Sequence, residues 1–143
     1  MEKLKQHQLT KLIPSLKQPV LGICLGMQLM YTHSEEGDTE CLGIFSGTIK
    51  HLPQKEAERV PHMGWNQLQW QSAHPLQSAL SESAWMYFVH SYAAPVTDES
   101  IAVSQHSTTF TAIAAKNNFL AAQFHPERSA RSGLALLNHF ISL

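Results

Sequence analysis

A single cysteine lies between two glycines near the start of the chain, and this arrangement restricts the fold more than any other segment. The apolar pair Val20-Leu21 leads into Gly22-Ile23-Cys24-Leu25-Gly26, so a short strand is followed at once by a glycine-flanked turn. That order predicts a nucleophile elbow, a sharp strand-to-helix turn that presents a reactive side chain at the end of a sheet. We therefore expect an α/β fold, with Cys24 at a helix N-terminus that favours the thiolate.

Hydrophobic periodicity predicts helices near both ends of the chain and short strands between them. The pattern indicates helices over about residues 3–16, 25–32 and 129–143. It indicates strands at residues 19–24, 43–52, 67–71, 85–90, 101–105, 110–115 and 119–124. Since there is no internal repeat or evident linker, residues 1–143 are predicted to form a single domain.

Composition and charge exclude several classes of protein. The formal net charge of -1 gives no electrostatic basis for binding nucleic acid. No apolar run approaches the roughly 20 residues that cross a bilayer, and the N-terminus lacks the apolar centre of a secretory signal. Two cysteines do not form a disulfide framework, so the cytoplasm is the expected location.

A second segment with catalytic potential is Gln123-Phe124-His125-Pro126-Glu127, which follows the last predicted strand. If the chain stays extended there, His125 and Glu127 project to the same side, and the carboxylate fixes the imidazole tautomer. With Cys24 they have the chemistry for acyl transfer through a thioester. Each segment alone is consistent with a structural role, but their joint occurrence beside strand ends favours catalysis.

A zinc site is an alternative interpretation. Zinc accepts thiolate and imidazole ligands, which are available in Cys24, His62, His90 and His125. Their spacing matches no short metal-binding signature. We therefore expect neither a metal nor a cofactor.

The cysteine and histidine segments together resemble the signature of the class I glutamine amidotransferases. Two more segments, Pro61-His62-Met63-Gly64-Trp65-Asn66 and Phe88-Val89-His90-Ser91-Tyr92, narrow the resemblance to glutaminase subunits of imidazole glycerol phosphate synthase. The four motifs occur in the family's order from about Pro19 to the C-terminus. The resemblance implies a three-layer, flavodoxin-like α/β fold with a mixed sheet.

The resemblance also implies roles for individual residues. Cys24 would attack the side-chain amide of L-glutamine, giving a γ-glutamyl thioester and ammonia, while His125 relays protons and Glu127 orients it. The backbone N–H of Leu25 would stabilise the oxyanion. The residues implied in substrate binding are Gln28, Glu36, Ser91 and Tyr92, and the Glu36 carboxylate suits the substrate's α-ammonium group.

A partner is implied as well. The segment from Pro61 to Asn66 would contact a (β/α)8-barrel cyclase subunit in a heterodimer, with Trp65 as an interface anchor. The cyclase would consume the ammonia and make imidazole glycerol phosphate for histidine biosynthesis.

One departure from the family pattern affects these expectations. The family carries a strand-helix-strand portion before this region, and a Pro-Gly-x-Gly loop that completes the oxyanion hole; the sequence contains no Pro-Gly-x-Gly. The chain is therefore expected to be an N-terminally shortened member with little or no glutaminase activity alone, because one lost oxyanion donor typically costs about 10²–10³ in turnover. An unpaired strand edge is expected to promote self-association.

Two other functions remain open on the sequence. The chain is alternatively a catalytically silent module that keeps only the partner-binding surface. A cysteine amidohydrolase acting on peptides or small amides is a further alternative.

Overall fold

A computed structural model describes residues 1–80 and 84–143 and shows an α/β fold built around a mixed sheet. The helices are α1 (Glu2–Gln6), α2 (Leu9–Ser15), α3 (Leu25–Leu29), α4 (Pro75–Ala79), a 3-10 helix (Pro126–Arg128) and α5 (Ala130–Ile141). The strands are β1 (Val20–Ile23), β2 (His33–Ser34), β3 (Thr39–Glu40), β4 (Thr48–His51), β5 (His62–Gln67), β6 (Gln69–Trp70), β7 (Trp85–His90), β8 (Tyr92–Ala93), β9 (Ser100–His106), β10 (Thr108–Lys116) and β11 (Phe119–Ala122).

The main sheet has the strand order β1-β11-β10-β9-β6. Strands β1 and β11 run parallel, whereas β10 pairs antiparallel with both β11 and β9. A smaller sheet has the order β3-β2-β4-β8, and β5 pairs with β7 as a two-stranded antiparallel ribbon. The predicted mixed sheet is confirmed, and β1 is one of its two edge strands.

Alternate residues of β11 enter two different hydrophobic cores. Leu120 and Ala122 pack with Phe88 in one core, whereas Ala121 packs with Phe45 in the other. Because successive side chains of a strand point to opposite faces, apolar side chains cover both faces of the sheet. The parallel strands β1 and β11 end at the same edge, where their carboxyl ends are available for a site. No helix among residues 1–80 and 84–143 is long and apolar enough to cross a membrane.

The structure corrects the secondary structure predicted for residues 3–16 and 43–52. The single helix predicted over residues 3–16 is divided into α1 and α2, because Gln8 adopts a positive φ of 56° that interrupts the helix. The strand predicted over residues 43–52 is confined to Thr48–His51, since Gly43 and Gly47 turn the chain with positive φ values of 67° and 116°.

Candidate active site

Cys24 lies in a strained turn between β1 and α3. Its φ of 50° and ψ of -107° are unusual for a residue other than glycine, which confirms the predicted elbow geometry. Gly22 is required for the turn to close, because a Cβ on this residue would lie 2.9 Å from the Gly26 backbone. The first glycine of the motif thus allows the strand and the following helix to approach each other.

The parallel pairing of β1 with β11 brings the cysteine and histidine segments together. Ile23 pairs in register with Ala122, and the Cys24 N–H donates to the Ala122 carbonyl at 2.8 Å. Neighbouring strands are about 4.8 Å apart, so Gln123 follows β11 directly beside Cys24, and His125 lies two residues further on. Residues far apart in sequence therefore meet at one end of the sheet.

His125 and Glu127 form a hydrogen-bonded pair. The His125 Nδ1 lies 2.7 Å from Glu127 Oε1, which assigns the N–H to Nδ1 and leaves Nε2 free of this bond. The prediction that this segment stays extended is wrong: Pro126–Arg128 is a 3-10 helix, because the fixed φ of proline suits the first position of a helical turn. The turn is tied to β7 by the His125 N–H, which donates to the Tyr87 carbonyl at 2.9 Å.

Burial raises the pKa of the Cys24 thiol. The negative charges of Glu127 and Glu36 raise this pKa further, while a hydrogen bond from the Leu25 backbone N–H lowers it. This direction is opposite to the one expected from a helix N-terminus alone, because α3 has five residues and desolvation outweighs its effect. The resting thiol therefore needs a base to become a nucleophile.

A cavity of about 290 Å³ lies beside the elbow. It brings together Gln28 and Glu36, two of the residues predicted to bind substrate, next to the predicted oxyanion donor Leu25. The remaining lining residues are Met1, Leu29, Ser34, Thr39 and Cys41. Sequence reasoning missed Ser34, Thr39 and Cys41, which have no pattern of their own and approach through the pairing of β2 with β3.

Buried hydrogen bonds connect the predicted substrate residues with Gln123. The Gln28 Nε2 donates to the Tyr92 carbonyl at 2.9 Å and to Gln123 Oε1 at 3.1 Å. The Gln123 Nε2 in turn lies 3.9 Å from Cys24 Sγ. The Ser91 carbonyl accepts a hydrogen bond from the Leu52 N–H and so stabilises a strand end. Gln123 belongs to a motif that the sequence singled out, but nothing in the pattern indicated that its side chain contacts the sulfur.

The β5–β7 face is an exposed apolar surface formed by Met63, Trp65, Tyr87 and Trp85. Met63, Trp65 and Trp85 are 63%, 49% and 50% exposed, and Trp65 pairs in register with Tyr87. The segment from Pro61 to Asn66, which was predicted to contact a partner, is thus mainly strand β5, so its successive side chains point to opposite faces. Of the other predicted interface residues, Pro61 is exposed and Gly64 and Asn66 are half-buried, whereas His62 is buried, so its side chain is not available to a partner.

His62 and His90 form a second buried polar cluster beneath that face. They are register partners on β5 and β7, and their rings are joined by a hydrogen bond of 2.9 Å between Nδ1 of His62 and Nε2 of His90. Burial lowers the pKa of His62 to about 3 and that of His90 to about 4. Both imidazoles are therefore neutral at physiological pH, and His106 stacks on His62 at 4.1 Å between ring centroids.

The fold and the site define a class of protein: an α/β protein with a cysteine at a strand-to-helix elbow and a His–Glu pair at the neighbouring strand end. The chain belongs to the class I glutamine amidotransferase family, since residues 4–142 match the family model described as "Glutamine amidotransferase class-I".

Relatives from several bacteria are similar over the whole chain. The imidazole glycerol phosphate synthase subunit HisH 2 of Legionella pneumophila (strain Paris) is 48% identical over 143 residues, which are 100% of this chain and 72% of the relative. The corresponding subunit HisH of Xanthomonas euvesicatoria pv. vesicatoria (strain 85-10) is 46% identical with the same coverage.

Solved structures share the fold at low sequence identity. A crystal structure of a glutamine amidotransferase matches with a TM-score of 0.67 at 12% identity, covering 97% of this chain and 69% of the other. The crystal structure of a glutamine amidotransferase from Thermotoga maritima matches with a TM-score of 0.62 at 17% identity, covering 96% of this chain and 53% of the other.

Proposed function

We propose that this chain is the glutaminase subunit of an imidazole glycerol phosphate synthase. It hydrolyses L-glutamine to glutamate and ammonia, and the ammonia passes to a cyclase subunit. The observation that carries the proposal is the parallel register of Ile23 with Ala122, because it sets Cys24 and the His125–Glu127 pair at adjacent strand ends. Similarity to synthase subunits over the full chain supports this choice of substrate and pathway.

The first half of the reaction forms a thioester. His125 Nε2 takes the thiol proton of Cys24, and the sulfur attacks the side-chain amide carbon of glutamine. Glu127 accepts the Nδ1–H of His125 and stabilises the imidazolium. The oxyanion forms near the Leu25 backbone N–H, His125 returns the proton to the leaving nitrogen, and ammonia departs from the γ-glutamyl thioester.

The second half hydrolyses the thioester. His125 takes a proton from water, whose oxygen attacks the thioester carbon, and the Cys24 sulfur leaves and regains a proton. Because burial and two carboxylates disfavour the free thiolate, the proton moves to His125 as the sulfur attacks and returns to the sulfur as it leaves. Proton transfer by a positioned base typically contributes about 10²–10⁴ in rate.

Substrate binding is assigned to the cavity beside the elbow. The Glu36 carboxylate pairs with the α-ammonium group of glutamine, since an acid in a cavity lined by Gln28 and Ser34 favours a small cationic group. Both N–H groups of Gln28 are engaged within the protein, so its Oε1 is the atom left for the substrate. Ser91 and Tyr92 act through their backbone.

The β5–β7 face is the proposed docking surface for the (β/α)8-barrel cyclase. Aromatic residues and methionine are enriched where proteins associate, and Trp65 and Met63 are the exposed examples here. Val89 on β7 connects this face with the site, because it pairs in register with Met63 while its carbonyl lies 3.9 Å from Cys24 Sγ. Ammonia released at Cys24 therefore forms close to the proposed partner.

Location and domain organisation follow from the same proposal. Cys24 and Cys41 are both free thiols, which supports a reducing cytoplasm. Two cores that share strand β11 support a single domain over residues 1–143.

Ammonia release from L-glutamine tests the proposed function. The chain is assayed with and without the cyclase subunit of the same organism, and Cys24→Ser is compared with Cys41→Ser. We expect cyclase-stimulated ammonia release that Cys24→Ser abolishes. Release that survives Cys24→Ser would contradict the proposal, whereas a stable complex without any release would identify a silent docking module.

A further inference from the structure

The side chain of Gln123 is fully buried against the candidate nucleophile. It is 0% exposed, and its Nε2 lies 3.9 Å from Cys24 Sγ, within hydrogen-bonding range of a sulfur acceptor. We infer that the Gln123 amide donates a hydrogen bond to the Cys24 sulfur and stabilises its thiolate form. This inference rests on the proposed function, in which Cys24 is the nucleophile.

The orientation of the Gln123 amide is set by its neighbour Gln28. A reversed amide would direct its oxygen toward the sulfur and repel a thiolate. The Tyr92 carbonyl accepts and never donates, so the Gln28 atom 2.9 Å from it is the amide nitrogen. That nitrogen also faces Gln123 at 3.1 Å, which identifies the Gln123 atom there as oxygen and directs the Gln123 N–H groups toward Cys24.

Three further residues continue this chain of hydrogen bonds toward β5. The Tyr92 carbonyl accepts from His90 Nδ1 at 2.8 Å, so Nε2 of the neutral His90 is an acceptor for His62 Nδ1 at 2.9 Å. Nε2 of His62 then accepts from Asn66 Nδ2 at 3.3 Å. The low pKa values of the two histidines keep both rings neutral and maintain this pattern of donors. The Tyr92 carbonyl is thereby fixed where it orients Gln28.

The electrostatics around the sulfur give this donor a function. Burial and the charges of Glu127 and Glu36 all disfavour a thiolate at Cys24. In the part of the chain that the structure describes, the Leu25 backbone N–H lowers this pKa, and the Gln123 amide, 3.9 Å from the sulfur, is a further N–H donor that faces it. A hydrogen bond to the charged form favours that form, so the loss of Gln123 makes the thiol proton harder to remove.

The test is the pH dependence of Cys24 alkylation by iodoacetamide in the full chain, with each cysteine followed by peptide mass spectrometry. Gln123→Met removes the donor at similar volume, and Gln123→Glu replaces it with a carboxylate. We expect the Cys24 midpoint to rise by roughly half a pH unit to one unit in Gln123→Met, and further in Gln123→Glu. Cys41 is the internal control, and its midpoint is expected to stay the same in every variant. Gln69→Met, at an exposed position on β6, is the matched variant and is expected to leave the Cys24 midpoint unchanged.

Two outcomes would overturn the inference. One is an unchanged Cys24 midpoint in a folded Gln123→Met chain, and the other is an equal shift at Cys41, which would indicate general loosening. A measurement on the unmodified chain covers the case in which the variants do not fold: the Gln123 side-chain amide resonance must titrate with the Cys24 midpoint, and its failure to do so would also overturn the inference. A chain that shows these shifts without hydrolysing glutamine would refute the proposed function and leave the role of Gln123 intact.

Discussion

Close backbone approaches at single glycines determine the positions of the candidate catalytic residues. Gly22 lets the Cys24 turn close against Gly26, and Gly133 lets helix α5 lie against the turn that carries His125. A Cβ on Gly133 would lie 1.9 Å from the Pro126 carbonyl oxygen, a distance that no packing tolerates. The two glycines therefore act on the two halves of one site.

Gly133→Ala is predicted to move the His125–Glu127 pair. The added methyl group must push α5 away from Pro126, so we expect a loss of about 2–3 kcal/mol in the free energy of unfolding and at least a tenfold loss of ammonia release. Urea unfolding and the glutaminase assay with the cyclase subunit present provide the measurements. Ser132→Ala, one residue away on the same helix, is the control and should change the free energy by less than about 0.5 kcal/mol. Equal behaviour of the two variants would refute the steric argument.

At the scale of elements, the pairing of β5 with β7 carries both an exposed apolar surface and a buried imidazole pair. Strand alternation explains this combination: Met63 and Trp65 point outward, while His62 points inward to meet His90. The buried histidine pair of this ribbon is therefore tested by acid stability, and its exposed apolar face by partner binding.

The buried histidines are predicted to make the fold acid-sensitive. The unfolded chain protonates them near pH 6.5, whereas their folded pKa values are about 3 and 4. The unfolded state thus binds more protons as pH falls below 6.5, so the stability present at neutral pH is lost toward pH 4. Between about pH 7 and 5 we expect each histidine to account for a loss of up to about 2 kcal/mol, measured by urea unfolding. His62→Gln should reduce this pH dependence and the exposed His51→Gln should not; an identical dependence in all three chains would contradict the prediction.

The β5–β7 face is predicted to bind the cyclase subunit through Trp65. Truncating a central tryptophan at an interface typically costs about 2 kcal/mol or more, so Trp65→Ala should weaken cyclase affinity by more than tenfold in calorimetry or interferometry. Leu12→Ala, at a residue on helix α2 that is 52% exposed, is the control for losing an exposed apolar side chain elsewhere. If Trp65→Ala binds with unchanged affinity, this face is not the docking surface.

Strand β1 is predicted to mediate self-association of the isolated chain. The N–H groups of Val20 and Cys24 bond to the β11 side, so by alternation those of Leu21 and Ile23 point to the other edge. We expect concentration-dependent sedimentation, with slower hydrogen exchange of the Leu21 and Ile23 amides as concentration rises and no change at Val20 and Cys24. A monomer over the micromolar range, with exchange independent of concentration, would refute it.

For the whole molecule, the local sequence patterns predicted the fold class and the apolar strand β7. Strand β7 occupies the predicted residues 85–90, and the C-terminal helix lies within the predicted range. The patterns failed where backbone geometry decided the outcome. Gln8 interrupts a regular helical periodicity with a positive φ, and Pro126 begins a 3-10 helix where an extended segment was expected.

The components of the candidate site were visible in the sequence, but their connections were not. Cys24, His125 and Glu127 stand in recognisable motifs, whose roles remain proposals. The contacts of Gln123 with Gln28 and with the sulfur depend on the register of β1 and β11, which no local pattern encodes. The inward orientation of His62 likewise follows from the pairing of two strands separated in sequence.

The most direct test of Cys24 as the nucleophile is covalent labelling with a diazoketone analogue of L-glutamine, with the cyclase subunit present. Attack by the Cys24 sulfur releases nitrogen gas and leaves a stable thioether that peptide mass spectrometry locates. We expect a single adduct on Cys24, prevented by excess L-glutamine and slowed by about 10²-fold or more in His125→Ala. Labelling on Cys41, or labelling of Cys24 that responds neither to L-glutamine nor to the loss of His125, would contradict it.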